Sequence, residues 1–122
     1  AVKDMGMHVG VHSCGCIATL IPEFINSGFE MWEGQENAND CPKLMQEFGD
    51  KLGQIELYSV PNGLSDEEAA LHIKNRIDTV GATGRYMCRL YDKPERLIQS
   101  NETMYRYSRQ KYDELYNKKT TN

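Results

Sequence analysis

Four times along the chain a short apolar segment ends at a glycine, a proline or a polar break and is followed by residues with helical spacing. This repeat limits the fold more than any other feature. The first segment, residues 7 to 12, carries Val9 and Val11 at alternate positions and is broken by Gly15. Leu20, Ile21, Phe24 and Ile25 then keep a helical period, with Pro22 tolerable only near the start, a cap near Thr19 and Gly28 as the stop. A second strand spans residues 29 to 33 and ends at Gly34. The next helix runs from Asp40 to Phe48, with Asp40 as N-cap, Pro42 in its first turn and Gly49 as its stop. Residues 54 to 60 form the third strand, closed by Pro61, Asn62 and Gly63. Ser65 and Glu68 have the spacing of a capping box for a helix that carries Ala69, Ile73, Ile77 and Val80 up to Gly81. Residues 85 to 90 supply the fourth strand. Asp92, Pro94 and Glu95 then open a helical stretch through Leu97 and Ile98 that runs on from Asn101 to Asn117.

Strand and helix in strict alternation predict an α/β fold: one domain over residues 1 to 122, with parallel strands covered by helices and right-handed crossovers. An open doubly wound sheet and a section of a barrel both satisfy this pattern. Neither a GxGxxG turn after a strand nor a GxxxxGK[ST] loop occurs, so the common nucleotide sites of open sheets have no support. In both architectures the chemistry belongs at the carboxyl ends of the strands, which here are residues 12 to 16, 32 to 37, 59 to 63 and 88 to 92.

The charge balance narrows the partners. Eighteen acidic against fourteen basic residues, net -4, give no positive field for a phosphate backbone or an anionic membrane, and Lys118 and Lys119 read as a solvated tail. With no apolar run long enough to span a bilayer, a cytoplasmic location is expected. Tyr105, Tyr107, Tyr112 and Tyr116 alternate with Arg106, Arg109 and Lys111, a mixture that can stack on bases. The spacing of Met104, Tyr105, Tyr112, Leu115 and Tyr116 points instead to a stripe packed on a neighbouring element. Of the four cysteines, Cys41 reads as a small core residue, and reduced thiols are expected throughout.

His12 and Cys14 stand out because residues two apart on a strand share a face. An imidazole nitrogen and a thiolate side by side suit zinc, which binds both tetrahedrally, and Cys88 at the end of the fourth strand is the candidate third ligand. Cys16 lies past Gly15, where the chain turns, so its direction is not legible. The same pair suits a different chemistry, in which His12 activates Cys14 for attack on an electrophilic carbon. Glu33, Glu36 and Asn37 in the neighbouring loop are candidates for an acid, an oxygen ligand or a substrate hydrogen-bonding group, with Glu33 and Glu36 the catalytic candidates.

The run His12-Ser13-Cys14-Gly15, followed by residues 20 to 28 with their closing Gly28, the Asn-rich and Gln-containing loop of residues 32 to 40, and the Gly49-Asp50 pair, resembles the uroporphyrinogen decarboxylase superfamily. Within it, the closer likeness is to the cobalamin-dependent methyltransferases. The resemblance covers nearly the whole chain and implies the C-terminal four βα units of a (β/α)8 TIM barrel. It further implies a zinc ion, held by His12, Cys14 and a distant cysteine, that activates a thiol for methylation by a corrinoid protein, or methyl transfer to tetrahydrofolate. Cys88 follows Tyr86 by only two residues, closer than the pattern has it, and Arg89-Leu90-Tyr91-Asp92 replaces the usual Gly-rich stretch. The decarboxylase branch fits less well, because no histidine lies between Cys88 and Pro94. A half barrel leaves two open sheet edges, so packing against an N-terminal half or self-association is expected. An inactive fragment or a module that binds a corrinoid or porphyrin-like ligand without turnover stand as alternatives.

Overall fold

In the computed structural model, which describes residues 2 to 35 and 38 to 117, the strands β1 (Gly10–His12), β2 (Met31–Glu33), β3 (Gly53–Ser59) and β4 (Tyr86–Tyr91) form one parallel sheet in the order β1-β2-β3-β4. The connections are α1 (Ile21–Asn26), α2 (Cys41–Phe48) and α3 (Asp66–Val80), and α4 (Leu97–Tyr116) follows β4. No helix among the described residues is long and apolar enough to cross a membrane.

Register and burial fix which side of the sheet each residue occupies. His12 pairs with Glu33, Glu33 with Ile55 and Ile55 with Met87, so these four share one face. Val11, Trp32, Tyr58 and Leu90 alternate with that set and pack against the helices in two clusters. One cluster sits under α1 and α2, around Ile17, Ile21, Trp32, Cys41, Leu44, Met45 and Leu52; the other lies under α3 and α4, around Tyr58, Ala69, Ile73, Ile77, Leu90 and Met104. All four helices therefore cover the same face. A doubly wound sheet has helices on both faces, so the winding here is the single one of a (β/α) repeat. The opposite face carries Leu57, Met87 and Tyr91 in exposed positions.

Local signals account for most boundaries. Asp40 caps α2 by accepting the Lys43 N–H at 3.2 Å, and Ser65 and Glu68 form the reciprocal capping box of α3. Cys41 is buried, and all four cysteines are free thiols. Several expectations are corrected. The first strand begins at Gly10 rather than residue 7, because the Val9 N–H donates to the Glu30 carboxylate at 3.1 Å instead of to a neighbouring strand. The cap expected near Thr19 falls at Leu20, reached through a 3-10 turn over Ala18–Leu20, but it makes no side-chain hydrogen bond. The α4 stripe packs only in part. Met104 is buried and Tyr107 reaches Asp78 of α3 at 2.8 Å, but Tyr105 and Tyr112 are 67% and 46% exposed, lining an open pocket with Ile77 and Gly81 at the end of α3.

Two buried ion pairs fasten the β3 to α4 half. The Glu56 carboxylate, fully buried, accepts the Arg76 guanidinium, with Nε at 2.6 Å, and the Tyr86 hydroxyl. Burial, with the Glu56 carboxylate alongside, pushes the Tyr86 phenol far above its ordinary value. Asp92 accepts Arg96 Nε at 2.8 Å, Arg96 Nη2 at 2.9 Å and the Ser100 hydroxyl at 2.6 Å. Arg96 Nη1 donates to the Leu64 carbonyl at 2.8 Å, tying the start of α4 to the loop before α3. Asp92, expected to open the last helix, is instead the anchor of this pair.

Candidate functional site

Parallel strands bring their carboxyl ends to one rim, and His12 and Glu33 end β1 and β2 there, paired in register. Their side chains rise from the bare face. His12 Nε2 lies 3.5 Å from Cys14 Sγ, and His12 Nδ1 lies 3.8 Å from a Glu33 carboxylate oxygen. One imidazole thus faces a thiol with one nitrogen and a carboxylate with the other. The His12 side chain is 61% exposed and that of Glu33 34%, so the group is open to solvent.

Zinc–sulfur and zinc–nitrogen bonds at a tetrahedral angle place sulfur and nitrogen about 3.5 Å apart. The spacing of His12 Nε2 and Cys14 Sγ fits two corners of such a site. Glu33 stands on the side of the second nitrogen at more than hydrogen-bond distance; a carboxylate that closed this gap would fix the ring and tautomer of a ligating histidine. Cys88 does not join them. Its register partner is Glu56, on the helix-covered face, and Cys88 packs against the core under α3 and α4. His12 is on the other face, three strands away. The alternation of β4 is the reason: Tyr86, Cys88 and Leu90 point toward the helices, and Met87, Arg89 and Tyr91 away from them. Among the described residues no group of three or more His, Cys, Asp or Glu side chains is arranged to hold a metal ion. The second catalytic candidate, Glu36, and its neighbour Asn37 lie outside the described residues, as do Lys118 and Lys119.

The segment that carries Cys14 is held by side chains of the loop after β2. Gly15 has φ +79°, a conformation open to glycine, and turns the chain directly after Cys14. Its N–H donates to Gln35 Oε1 at 2.8 Å. Asn39, 9% exposed, donates from Nδ2 to the Gly15 carbonyl at 2.9 Å and to the Gln35 carbonyl at 2.7 Å, and accepts the Ile17 N–H at 3.0 Å. The Trp32 indole N–H donates to Ser13 Oγ at 2.8 Å. Gly34 is required beside that indole, since a Cβ there would overlap its ring. Sequence reasoning did not assign Ser13, Gln35 or Asn39 a role. The only signal was the Asn- and Gln-rich composition of residues 35 to 39, because hydrogen bonds across some twenty residues follow no local period.

No family model, no curated protein and no solved structure matches the chain.

Proposed function

We propose that the chain is the C-terminal part of a (β/α)8-barrel methyltransferase related to the uroporphyrinogen decarboxylase superfamily. In this reading His12 and Cys14 hold a zinc ion at the barrel mouth. The observation that carries it is the 3.5 Å spacing of His12 Nε2 and Cys14 Sγ, with Glu33 on the other imidazole nitrogen. Zinc keeps a coordinated thiol deprotonated near neutral pH. His12 and Cys14 donate nitrogen and sulfur, and Glu33 orients the His12 ring. The open rim around them leaves room for a small thiol or a folate-type acceptor and for a corrinoid protein that presents the methyl group. Further ligands come from outside the described residues, since Cys88 faces the helices. The apolar bare face and the unpaired edges of β1 and β4 suit packing against four further βα units, which would complete the eight of a closed barrel.

Metal content tests this reading. The wild-type protein is expected to hold about one zinc per chain and Cys14→Ser to hold none. Equal zinc in both overturns the assignment.

A second reading is favoured by the convergence of only two donors on the described rim: a metal-free thiolate, with His12 taking the proton from Cys14 and Glu33 steadying the imidazolium. It expects a zinc-free protein in which Cys14 is alkylated faster than the exposed Cys16, an advantage that His12→Ala removes.

A further inference from the structure

Cys14 has no scaffold of its own. β1 ends at His12, and Cys14 sits on the far side of the strand end, one residue before a turning glycine. The last ladder contact of β1 is the Ser13 N–H to the Glu33 carbonyl at 3.0 Å, and nothing in the strand pairing fixes the peptide after it. A cysteine so placed can swing, while its partner His12 is locked in register with Glu33. The 3.5 Å spacing on which the proposed function rests is kept only if the Gly15 peptide is fixed as well.

Two side chains from the loop after β2 fix it. Gln35 Oε1 accepts the Gly15 N–H, and Asn39 Nδ2 donates to the Gly15 carbonyl, so both polar groups of the glycine are used by side chains. Asn39 adds two further bonds that hold the clamp itself: Nδ2 to the Gln35 carbonyl and Oδ1 from the Ile17 N–H. It therefore spans the segment from Gly15 to Ile17 and ties it to the loop that carries Gln35. Asn39 is buried, and its own backbone is anchored by the Cys41 N–H at 3.0 Å, at the entry to α2. No other described side chain donates or accepts at three points of this junction. We infer that Asn39 is the positioning residue of the site, holding the Cys14 to Ile17 segment so that the Cys14 thiol stays against His12, with Gln35 as its exposed auxiliary.

This inference rests on the reading of His12 and Cys14 as a working pair, and its test separates the two. The measurement is the ratio of Cys14 to Cys16 alkylation by iodoacetamide, read by peptide mass spectrometry on chelator-treated protein. Cys16 is exposed and lies in the same clamped segment, so general loosening acts on both thiols and the ratio reads the His12 contact that Cys14 makes. Asn39→Asp keeps the size and the acceptor for Ile17 but sets a carboxylate oxygen against two carbonyls. It is expected to lower the ratio about tenfold, the scale at which outer-shell partners act. Gln35→Ala removes one bond from an exposed side chain and is expected to lower the ratio by a smaller factor, and it decides the question if Asn39→Asp does not fold. A residue needed only for stability would lower the melting temperature and leave the ratio of the folded protein unchanged; that result in both variants overturns the inference. His12→Ala supplies the control. If it lowers the ratio while Asn39→Asp and Gln35→Ala do not, only the positioning role fails. If His12→Ala leaves the ratio as it is, the working pair fails and the positioning role with it.

Discussion

Strands β1 and β2 contribute three residues each to the sheet, whereas β3 and β4 contribute seven and six. The two halves are also fastened differently. Around β3 and β4, long backbone ladders are reinforced by the buried pairs of Glu56 with Arg76 and Asp92 with Arg96. Around β1 and β2, short ladders are supplemented by the half-exposed Glu30 carboxylate at the start of β1 and, at the rim, by neutral side chains that bond to backbone groups and to one another: Gln35, Asn39, Trp32 and Ser13. The candidate site is built on the second kind of ground. A rim made of side-chain bonds can set the position of a thiol without committing a strand to it, and the ion-paired half supplies the stiffness that the rim lacks.

The largest expected effect breaks the stiff half. Arg76→Met leaves the Glu56 carboxylate buried beside only the Tyr86 hydroxyl, and loss of one partner of a buried pair costs about 3 to 5 kcal/mol. Urea denaturation measures it. Alkylation of Cys14 in the folded variant should be unchanged, and a parallel loss there would erase the division between the halves.

Asp92 provides the pH dependence. The Arg96 hydrogen bonds first, then those of Ser100 and the Lys93 N–H, hold its carboxyl down at about 2 against an ordinary 3.8. A depressed carboxyl stabilises the fold fully above its unfolded value, and that contribution is lost as pH falls through the folded one. The Asp92 contribution, on the order of 2 kcal/mol, is therefore present above pH about 4 and disappears toward pH about 2. Asp92→Asn should be less stable than wild type at pH 7, with the gap closing across that window in thermal melts. A gap that stays constant down to pH 2 would remove the ion pair from the account.

Smaller effects sharpen the contrast. Ser65→Ala removes one side of the α3 capping box and should cost about 1 kcal/mol, with no change at Cys14. Glu33→Gln, on a half-exposed side chain, should change stability by less than about 0.5 kcal/mol. Its consequence should lie in the site, as weaker zinc retention or slower Cys14 alkylation. A stability loss without a site effect would make Glu33 a structural residue.

How far these features were legible in sequence follows the same division. The strands and helices could be read because apolar spacing, capping residues and glycine stops are local, and Ser65, Glu68, Asp40 and Cys41 behave as their positions imply. The closeness of His12 to Cys14 was expected from two-residue periodicity, but β1 ends at His12, so the contact observed depends on the turn at Gly15 and the side chains that hold it. That Cys88 lies on the other face from His12 was not legible, because it required knowing which residues of β4 face the helices. That parity depends on where the strand begins, and one residue reverses it. Arg96, Arg76 and Asn39 owe their roles to partners twenty or more residues away, or, for Asp92, to a helix start displaced to Leu97. The exposed side of α4 was read as a packed stripe because periodicity marks an apolar face without identifying what lies against it.

The indole of Trp32 has a further use. It is the single tryptophan, fully buried beneath the rim and bonded to Ser13, the residue between His12 and Cys14. All seven tyrosines, from Tyr58 to Tyr116, fall in the other half of the chain. The protein therefore carries two separate optical gauges. Selective excitation of tryptophan reports whether the helix-covered core behind the rim has loosened or admitted water, while the tyrosine signal follows the ion-paired half, so loosening of one region can be told from loosening of the other without attaching a label.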